Sequence, residues 1–103
     1  MNPTIADKSE SIAALCREYG VTRLELFGSA ARETDFNPQT SDFDFLVEFG
    51  APHSKSALTQ FFGLAGELEA LLGRHVDLVE AGSVKNPYLK ESMDRSRVLI
   101  YQL

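Results

Sequence analysis

The sequence predicts an α/β fold: a single two-layer domain in which helices alternate with the strands of a mixed sheet. Apolar residues recur at helical spacing in some segments and at every second position in others, and the two kinds of segment alternate along the chain. The length of 103 residues gives room for one compact domain spanning residues 1–103. A hydrophobic fraction of 44% is ordinary for a protein with one core.

The first helix and the first strand are predicted from the amino-terminal quarter of the chain. Asp7 and Glu10 have the spacing of a capping box, and Gly20 is a typical helix stop. The apolar positions between them follow helical spacing: Ile12, Leu15, Cys16 and Tyr19. A strand is expected next, over residues 23–27, where leucines alternate with polar neighbours.

The middle of the chain contains the longest predicted elements. Residues 30–32 favour a helical turn, and the polar stretch 33–41 is typical of a loop. The second strand, residues 43–49, places phenylalanine and valine side chains on one face. A helix follows over residues 56–72, and its expected core-facing stripe is Leu58, Phe62, Ala65, Leu68 and Leu72.

The last third of the chain continues the alternation. A short strand is predicted over residues 75–80, with Asp77 on the face opposite its apolar neighbours. Asn86 before Pro87 is typical of a helix start, and residues 97–101 are predicted to form a final strand. Because these connections permit parallel or antiparallel pairing, we expect a mixed sheet.

Charge and composition exclude some classes of function. The net charge is −5, from 10 basic and 15 acidic residues, so a long nucleic-acid groove with a basic face is not expected. A single cysteine, Cys16, excludes an internal disulfide and is expected to be a buried structural thiol. No segment approaches the ~20 apolar residues that cross a bilayer, and residues 1–11 lack an apolar signal region. We therefore expect a cytoplasmic protein without membrane contact.

Three aspartates are the strongest candidates for chemistry. Asp42 and Asp44 lie about 7 Å apart on the same face of the second predicted strand, where they repel each other unless a cation lies between them. Asp77 is the charged residue within an otherwise apolar strand. If the two strands are neighbours, the three carboxylates converge as a site for two divalent metal ions requires. Alternatively, the pair is a solvated strand face, and Asp77 is an edge-strand charge that discourages aggregation.

A second candidate group follows the first strand. Gly28 allows the backbone to approach a phosphate closely, and Ser29 adds a hydroxyl donor. Arg32, one helical turn later, has the geometry to bind a phosphate with two hydrogen bonds. Taken singly, Gly28 and Ser29 are also typical of an ordinary turn, and Arg32 has acidic neighbours with which it could pair on the surface.

The segments that carry these residues are LFGSAAR at residues 26–32, SDFDFLVEF at residues 41–49 and VDLV at residues 76–79. Together they resemble the minimal nucleotidyltransferases of the polymerase-beta superfamily, and more closely the MNT antitoxins that accompany HEPN toxins. The resemblance extends from the first helix to the closing strand. It implies a nucleotidyltransferase fold in which Gly28 and Ser29 hold a triphosphate. It also implies that Asp42 and Asp44 bind two Mg²⁺ ions, with Asp77 completing the site beside the acceptor.

The function expected from this resemblance is transfer of AMP from ATP to a tyrosine hydroxyl of a cognate HEPN-type toxin, within a hetero-oligomer of the two proteins. The short chain has no segment assigned to an acceptor domain, so the acceptor is expected on another molecule. Two alternatives remain: an antitoxin that masks its partner by binding alone, and a regulatory module that binds a nucleotide without transferring it.

Overall fold

The computed structural model describes residues 3–28, 42–50, 55–81 and 97–103 of the chain. Its helices are α1 (Pro3–Asp7), α2 (Ser9–Glu18) and α3 (Ala57–Leu72). Its strands are β1 (Val21–Phe27), β2 (Phe43–Phe49), β3 (Val76–Glu80) and β4 (Val98–Gln102). The predicted helical turn at residues 30–32, the loop at 33–41 and the helix expected after Asn86 lie outside the described residues.

The four strands form one mixed sheet in the order β3-β2-β1-β4. β1 pairs antiparallel with both of its neighbours, β2 and β4, whereas β2 and β3 are parallel. The prediction of an α/β fold with a mixed sheet is confirmed. Since β3 lies directly beside β2, the two strands that carry the predicted carboxylates are neighbours.

The hydrophobic core lies on one face of the sheet. The strands contribute Leu24, Leu26, Phe43, Phe45, Val47 and Val76, and the helices cover them with Ile12, Cys16, Leu64, Leu68 and Leu72. Because strand side chains alternate between faces, the residues between these apolar positions, Asp44 and Asp77 among them, belong to the opposite face. Cys16 is fully buried, as predicted, and burial raises the pKa of its thiol to about 12.

The predicted capping box at Asp7 and Glu10 is wrong. Asp7 is the last residue of α1, a short helix that the sequence patterns did not predict. Lys8 occupies the N-cap position of α2 and makes no side-chain capping bond. The chain that enters α2 is already helical, so the preceding turn supplies a hydrogen-bond acceptor for an N–H group at the start of α2. The Lys8 N–H donates to the Ile5 carbonyl at 3.2 Å.

The predicted core stripe of α3 is wrong in its first half. Leu68 and Leu72 are buried as expected, but Leu58 is 69% exposed and Phe62 is 63% exposed. The buried positions are instead Gln60, Leu64, Leu68 and Leu72. In this rotation of the helix, Gln60 Nε2 donates a buried hydrogen bond to the Tyr19 carbonyl, 2.9 Å long, while three leucines of the same face enter the core. The start of the helix was predicted correctly, because the Ser56 hydroxyl accepts a capping bond from the Thr59 N–H.

The face opposite the core carries an ion-pair network around the buried carboxylate of Glu25. Glu25, whose side chain is 8% exposed, accepts a hydrogen bond from Arg23 Nε at 3.0 Å and lies 2.9 Å from Arg97 Nε. A buried carboxylate is costly unless it is paired, and here both oxygens have an arginine partner. The network links β1 to the start of β4 on the same face as Asp44.

Within the four described ranges, no helix has both the length and the apolar character needed to cross a membrane.

Candidate functional site

The site begins where β1 ends. Gly28 has a φ of +74°, a conformation that glycine adopts without strain and other residues rarely adopt. A Cβ atom at this position would collide with the Asp44 carboxylate oxygen Oδ2. Two features therefore favour glycine at this position: the backbone conformation and the close approach of the Asp44 carboxylate. Ser29 and Arg32, the other predicted phosphate-binding residues, lie outside the described residues.

Asp44 and Asp77 are direct neighbours across the sheet. In the parallel pairing of β2 and β3, Asp44 is the register partner of Asp77, just as Phe43 pairs with Val76 and Phe45 with Leu78. Phe43, Phe45 and Val76 face the core, so the two aspartates share the opposite face. Two carboxylates on adjacent strands, about 5 Å apart at the backbone, repel each other and attract cations.

Asp42, the residue just before β2, also belongs to this cluster. One ligand atom each from Asp42, His75 and Asp77 lie within 4.8 Å of one another, and all three residues are exposed. Asp42 and His75 meet because the Phe43 N–H donates to the His75 carbonyl at 3.1 Å, which fixes the starts of β2 and β3 beside each other. The structure thus brings Asp42 and Asp77 together, with Asp44 beside Asp77 and against Gly28.

His75 connects this cluster to α3. Its Nε2 lies 2.9 Å from Asp77 Oδ1, and its Nδ1 lies 3.0 Å from Glu69 Oε2. The same Glu69 oxygen accepts a hydrogen bond from the Val76 N–H at 3.1 Å. The hydrogen bond with Asp77, assisted by the negative charges of Asp77, Glu69 and Asp42, raises the pKa of His75. Both ring nitrogens face a carboxylate oxygen, and a protonated imidazole can donate to both of them.

His75 and Glu69 were not predicted as functional residues. The contact between Glu69 and His75 spans six residues and depends on the left-handed backbone of Gly73, which ends α3 between them and which residue spacing alone does not specify. The spacing of His75 and Asp77, two apart on a strand, was a usable signal because it places both side chains on one face.

The donor set suits hard divalent cations. Carboxylate oxygens from three aspartates are the ligands that Mg²⁺ prefers, with further positions filled by water or by phosphate oxygens. The Asp44 carboxylate occupies the position that a side chain on residue 28 would fill, so the end of β1 lies close against these oxygens. An anionic phosphate cannot lie against uncompensated carboxylates, so a cation and a phosphate are expected to bind together here.

Comparison with known proteins gives consistent results. A family model described as a nucleotidyltransferase domain matches residues 8–100. The chain is 41% identical over 88 residues to a Methanocaldococcus jannaschii protein named provisionally as a protein adenylyltransferase, covering 84% of this chain and 83% of that protein. It is 38% identical over 76 residues to the protein adenylyltransferase MntA of Thermococcus cleftensis, covering 74% of this chain and 72% of that protein.

Two solved structures have a similar fold. One, described provisionally as a minimal nucleotidyltransferase, superposes with a TM-score of 0.71 at 33% identity, covering 92% of this chain and 91% of the other. The second is a chain from a structure described as the tri-AMPylated Shewanella oneidensis HEPN toxin in complex with an MNT antitoxin. It superposes with a TM-score of 0.64 at 21% identity, covering 96% of this chain and 73% of the other, a likeness of fold.

Proposed function

Because the chain belongs to the nucleotidyltransferase domain family, we propose that it transfers AMP from ATP to a hydroxyl group of a protein partner. The observation that carries this proposal is the meeting of Gly28, Asp44 and Asp77 at one place on the sheet. The Asp44 carboxylate lies where a side chain on residue 28 would otherwise be, so the backbone at Gly28 comes close to it, and the Asp77 carboxylate is in register beside it. A triphosphate bound through cations needs both features.

The residues that would hold the cations are Asp42, Asp44 and Asp77. We propose two Mg²⁺ ions, since sites for phosphoryl chemistry commonly place two ions between a cluster of carboxylates and the substrate phosphates. When bound, the ions neutralise the charge that develops on the triphosphate and make the attacking hydroxyl easier to deprotonate. The oxygen-only set of aspartates fits this role, because Mg²⁺ prefers hard oxygen ligands.

The protein's own residues then position the reactants and move one proton. Gly28 is proposed to let the backbone approach the triphosphate closely, while Ser29 and Arg32 are proposed to donate hydrogen bonds to its oxygens. The acceptor hydroxyl loses its proton to the Asp77 carboxylate, and its oxygen forms a bond to the α-phosphorus. The bond from that phosphorus to the bridging oxygen breaks, and pyrophosphate leaves with the electron pair. Most of the rate is expected to come from positioning and charge neutralisation.

We propose that the acceptor is a tyrosine of a cognate HEPN-type toxin, bound to this chain in a hetero-oligomer. The named activity of the Thermococcus cleftensis relative supports a protein acceptor. The class of partner is supported by the fold neighbour from a structure described as a tri-AMPylated HEPN toxin in complex with an MNT antitoxin. The net charge of −5 also favours a protein partner with a basic surface over a nucleic acid.

The test is to incubate the chain with Mg²⁺, ATP and the HEPN-type protein encoded beside its gene. The partner is then weighed by intact-mass spectrometry while pyrophosphate release is measured. We expect mass gains of whole AMP units and an equal amount of pyrophosphate. ATP labelled at the α-phosphate should label the partner, whereas ATP labelled at the γ-phosphate should not, which separates AMP transfer from phosphorylation. Samples with EDTA or without ATP serve as controls.

The same experiment separates the alternatives. A partner that is neutralised but gains no mass would indicate an antitoxin that acts by binding alone. Binding of ATP to the chain without pyrophosphate release, in the presence of the partner, would indicate a regulatory nucleotide-binding module. Either result would overturn the proposed transfer.

A further inference from the structure

A chain of hydrogen bonds runs from α3 to the third aspartate of the site. Glu69 Oε2 lies 3.0 Å from His75 Nδ1, and His75 Nε2 lies 2.9 Å from Asp77 Oδ1. The three side chains come from the last turn of α3, the connection that follows it and the second residue of β3. The imidazole ring thus lies between two carboxylates that would otherwise have no link to each other.

Glu69 is held firmly although it is partly exposed. Its Oε2 also accepts the Val76 N–H at 3.1 Å, while its carbonyl accepts the Gly73 N–H at 2.8 Å at the end of the helix. A carboxylate in the last turn of a helix is unfavourable because of the helix dipole. Its two hydrogen bonds to the start of β3 offset this cost, and they fix the side of the imidazole that faces away from the cluster.

Asp77 needs such support more than its neighbours do. Its side chain is 55% exposed, and it faces repulsion from Asp42 and from its register partner Asp44. A carboxylate in that position would rotate away from the cluster unless a donor held it. His75 Nε2 engages Oδ1, which leaves Oδ2 as the oxygen available to a cation or to the proton of an acceptor hydroxyl.

We propose that His75 and Glu69 are positioning residues that hold the Asp77 carboxylate in its reactive orientation. This inference rests on the proposed function for its kinetic consequences, but the orientation of Asp77 also affects the binding of divalent cations. Residues that orient the ligands of a metal commonly change activity or metal affinity by about 10–100-fold when they are removed.

The variants are His75→Ala, His75→Gln and Glu69→Gln, with Glu67→Gln as the matched control. Glu67 lies on the same helix and its replacement removes the same charge, but its hydrogen bond is with Tyr19, away from the site. Each full-length variant is assayed with its protein partner for kcat and for KM toward ATP. Binding of Mn²⁺ alone is measured in parallel by electron paramagnetic resonance, and thermal unfolding checks the fold.

We expect His75→Ala to lower kcat by about 10–100-fold with a KM for ATP within about twofold of wild type. His75→Gln should recover part of this loss, because its amide nitrogen can donate to Asp77 Oδ1, and Glu69→Gln should give a smaller decrease. Glu67→Gln should match wild type. A structural role alone would lower the unfolding temperature without this separation of kcat from KM.

Three results would overturn the proposal. They are a wild-type kcat for His75→Ala, equal losses for Glu67→Gln and Glu69→Gln, and a His75→Gln variant that folds normally but is as slow as His75→Ala. If the wild-type chain transfers no AMP, the proposed function fails and Mn²⁺ binding decides this inference. Affinity about tenfold weaker in His75→Ala and unchanged in Glu67→Gln would support it, and equal affinities would overturn it.

Discussion

Asp44 is the residue on which both halves of the site depend. Its carboxylate occupies the space that a side chain at position 28 would fill, and it is in register with Asp77 on the neighbouring strand. Its backbone is part of β2, between the fully buried rings of Phe43 and Phe45. The strand therefore holds Asp44 rigidly, and replacing its charge alone is not expected to disturb the fold.

The first prediction follows from that separation of charge and fold. Asp44→Asn keeps the shape of the side chain but removes its charge, so we expect AMP transfer to fall by at least about 10²-fold. Without divalent ions the variant should be no less stable than wild type, since the repulsion from Asp77 is relieved. Transfer is measured under single-turnover conditions, and stability is measured by urea unfolding in EDTA.

Glu48→Gln is the control for this substitution. Glu48 lies on the same strand and the same face, but it is exposed and about 13 Å further along β2. It should transfer AMP at the wild-type rate. A wild-type rate for Asp44→Asn would remove Asp44 from the set of metal ligands.

At the scale of single elements, α3 shows how packing decides the role of a glycine. Gly63 and Gly66 are both inside this helix, where glycine costs roughly 1 kcal/mol relative to alanine. A Cβ at Gly63 would lie 2.7 Å from Tyr19 Cε1, whereas a Cβ at Gly66 would have nothing within 4 Å. Gly63 is thus a close contact between α3 and the end of α2, and Gly66 is a free surface position.

The second prediction compares alanine at the two positions. Gly66→Ala should raise the free energy of unfolding by roughly 1 kcal/mol, because alanine favours the helix and meets no neighbour. Gly63→Ala should instead lower it by about 1–3 kcal/mol, because the buried Tyr19 ring must move. The measurement is the urea midpoint of each variant at constant m-value. Equal stabilisation by both substitutions would show that the Tyr19 ring yields at no cost.

The elements that the sequence predicted well are those whose signal is local. The alternation in β2 identified its core face, since a strand has only two faces and one of them is strongly apolar. α3 was harder, because Leu58, Phe62, Leu64 and Leu68 offer two overlapping helical stripes. The stripe that is buried also carries Gln60, whose amide donates to the Tyr19 carbonyl 41 residues away, a long-range contact that no local pattern contains.

The candidate site divides in the same way. The three aspartates could be identified because charged residues are unusual in or beside an otherwise apolar strand. Their catalytic and metal-binding roles remain predictions, as do those of Gly28, Ser29 and Arg32. The register of Asp44 with Asp77 depends on the pairing of β2 with β3, and the approach of Glu69 to His75 depends on how α3 returns to the sheet. The register of the two strands is a long-range arrangement that spacing along the chain does not fix. The contact of Glu69 with His75 spans six residues and depends on the left-handed backbone of Gly73 between them.

At the scale of the whole molecule, the excess of acidic residues has a consequence for association. With a net charge of −5, the chain attracts a partner with a basic surface over roughly one Debye length, about 10 Å at 0.1 M salt. Such attraction accelerates encounter more than it changes the lifetime of the complex. The acidic balance should therefore be visible in the rate of binding to the proposed toxin.

The third prediction is that the association rate constant for the HEPN-type partner falls about tenfold between about 50 and about 500 mM NaCl, with little change in the dissociation rate constant. Stopped-flow mixing of the two full-length proteins measures both.

Glu10→Lys combined with Glu18→Lys makes the net charge less negative by four units, at two exposed positions of α2 far from the aspartates. This double variant should associate more slowly at low salt and should lose most of the salt dependence. If it dissociates faster instead, α2 is part of the contact surface itself. An association rate that is independent of salt for the wild-type chain would contradict electrostatic attraction as the reason for the acidic composition.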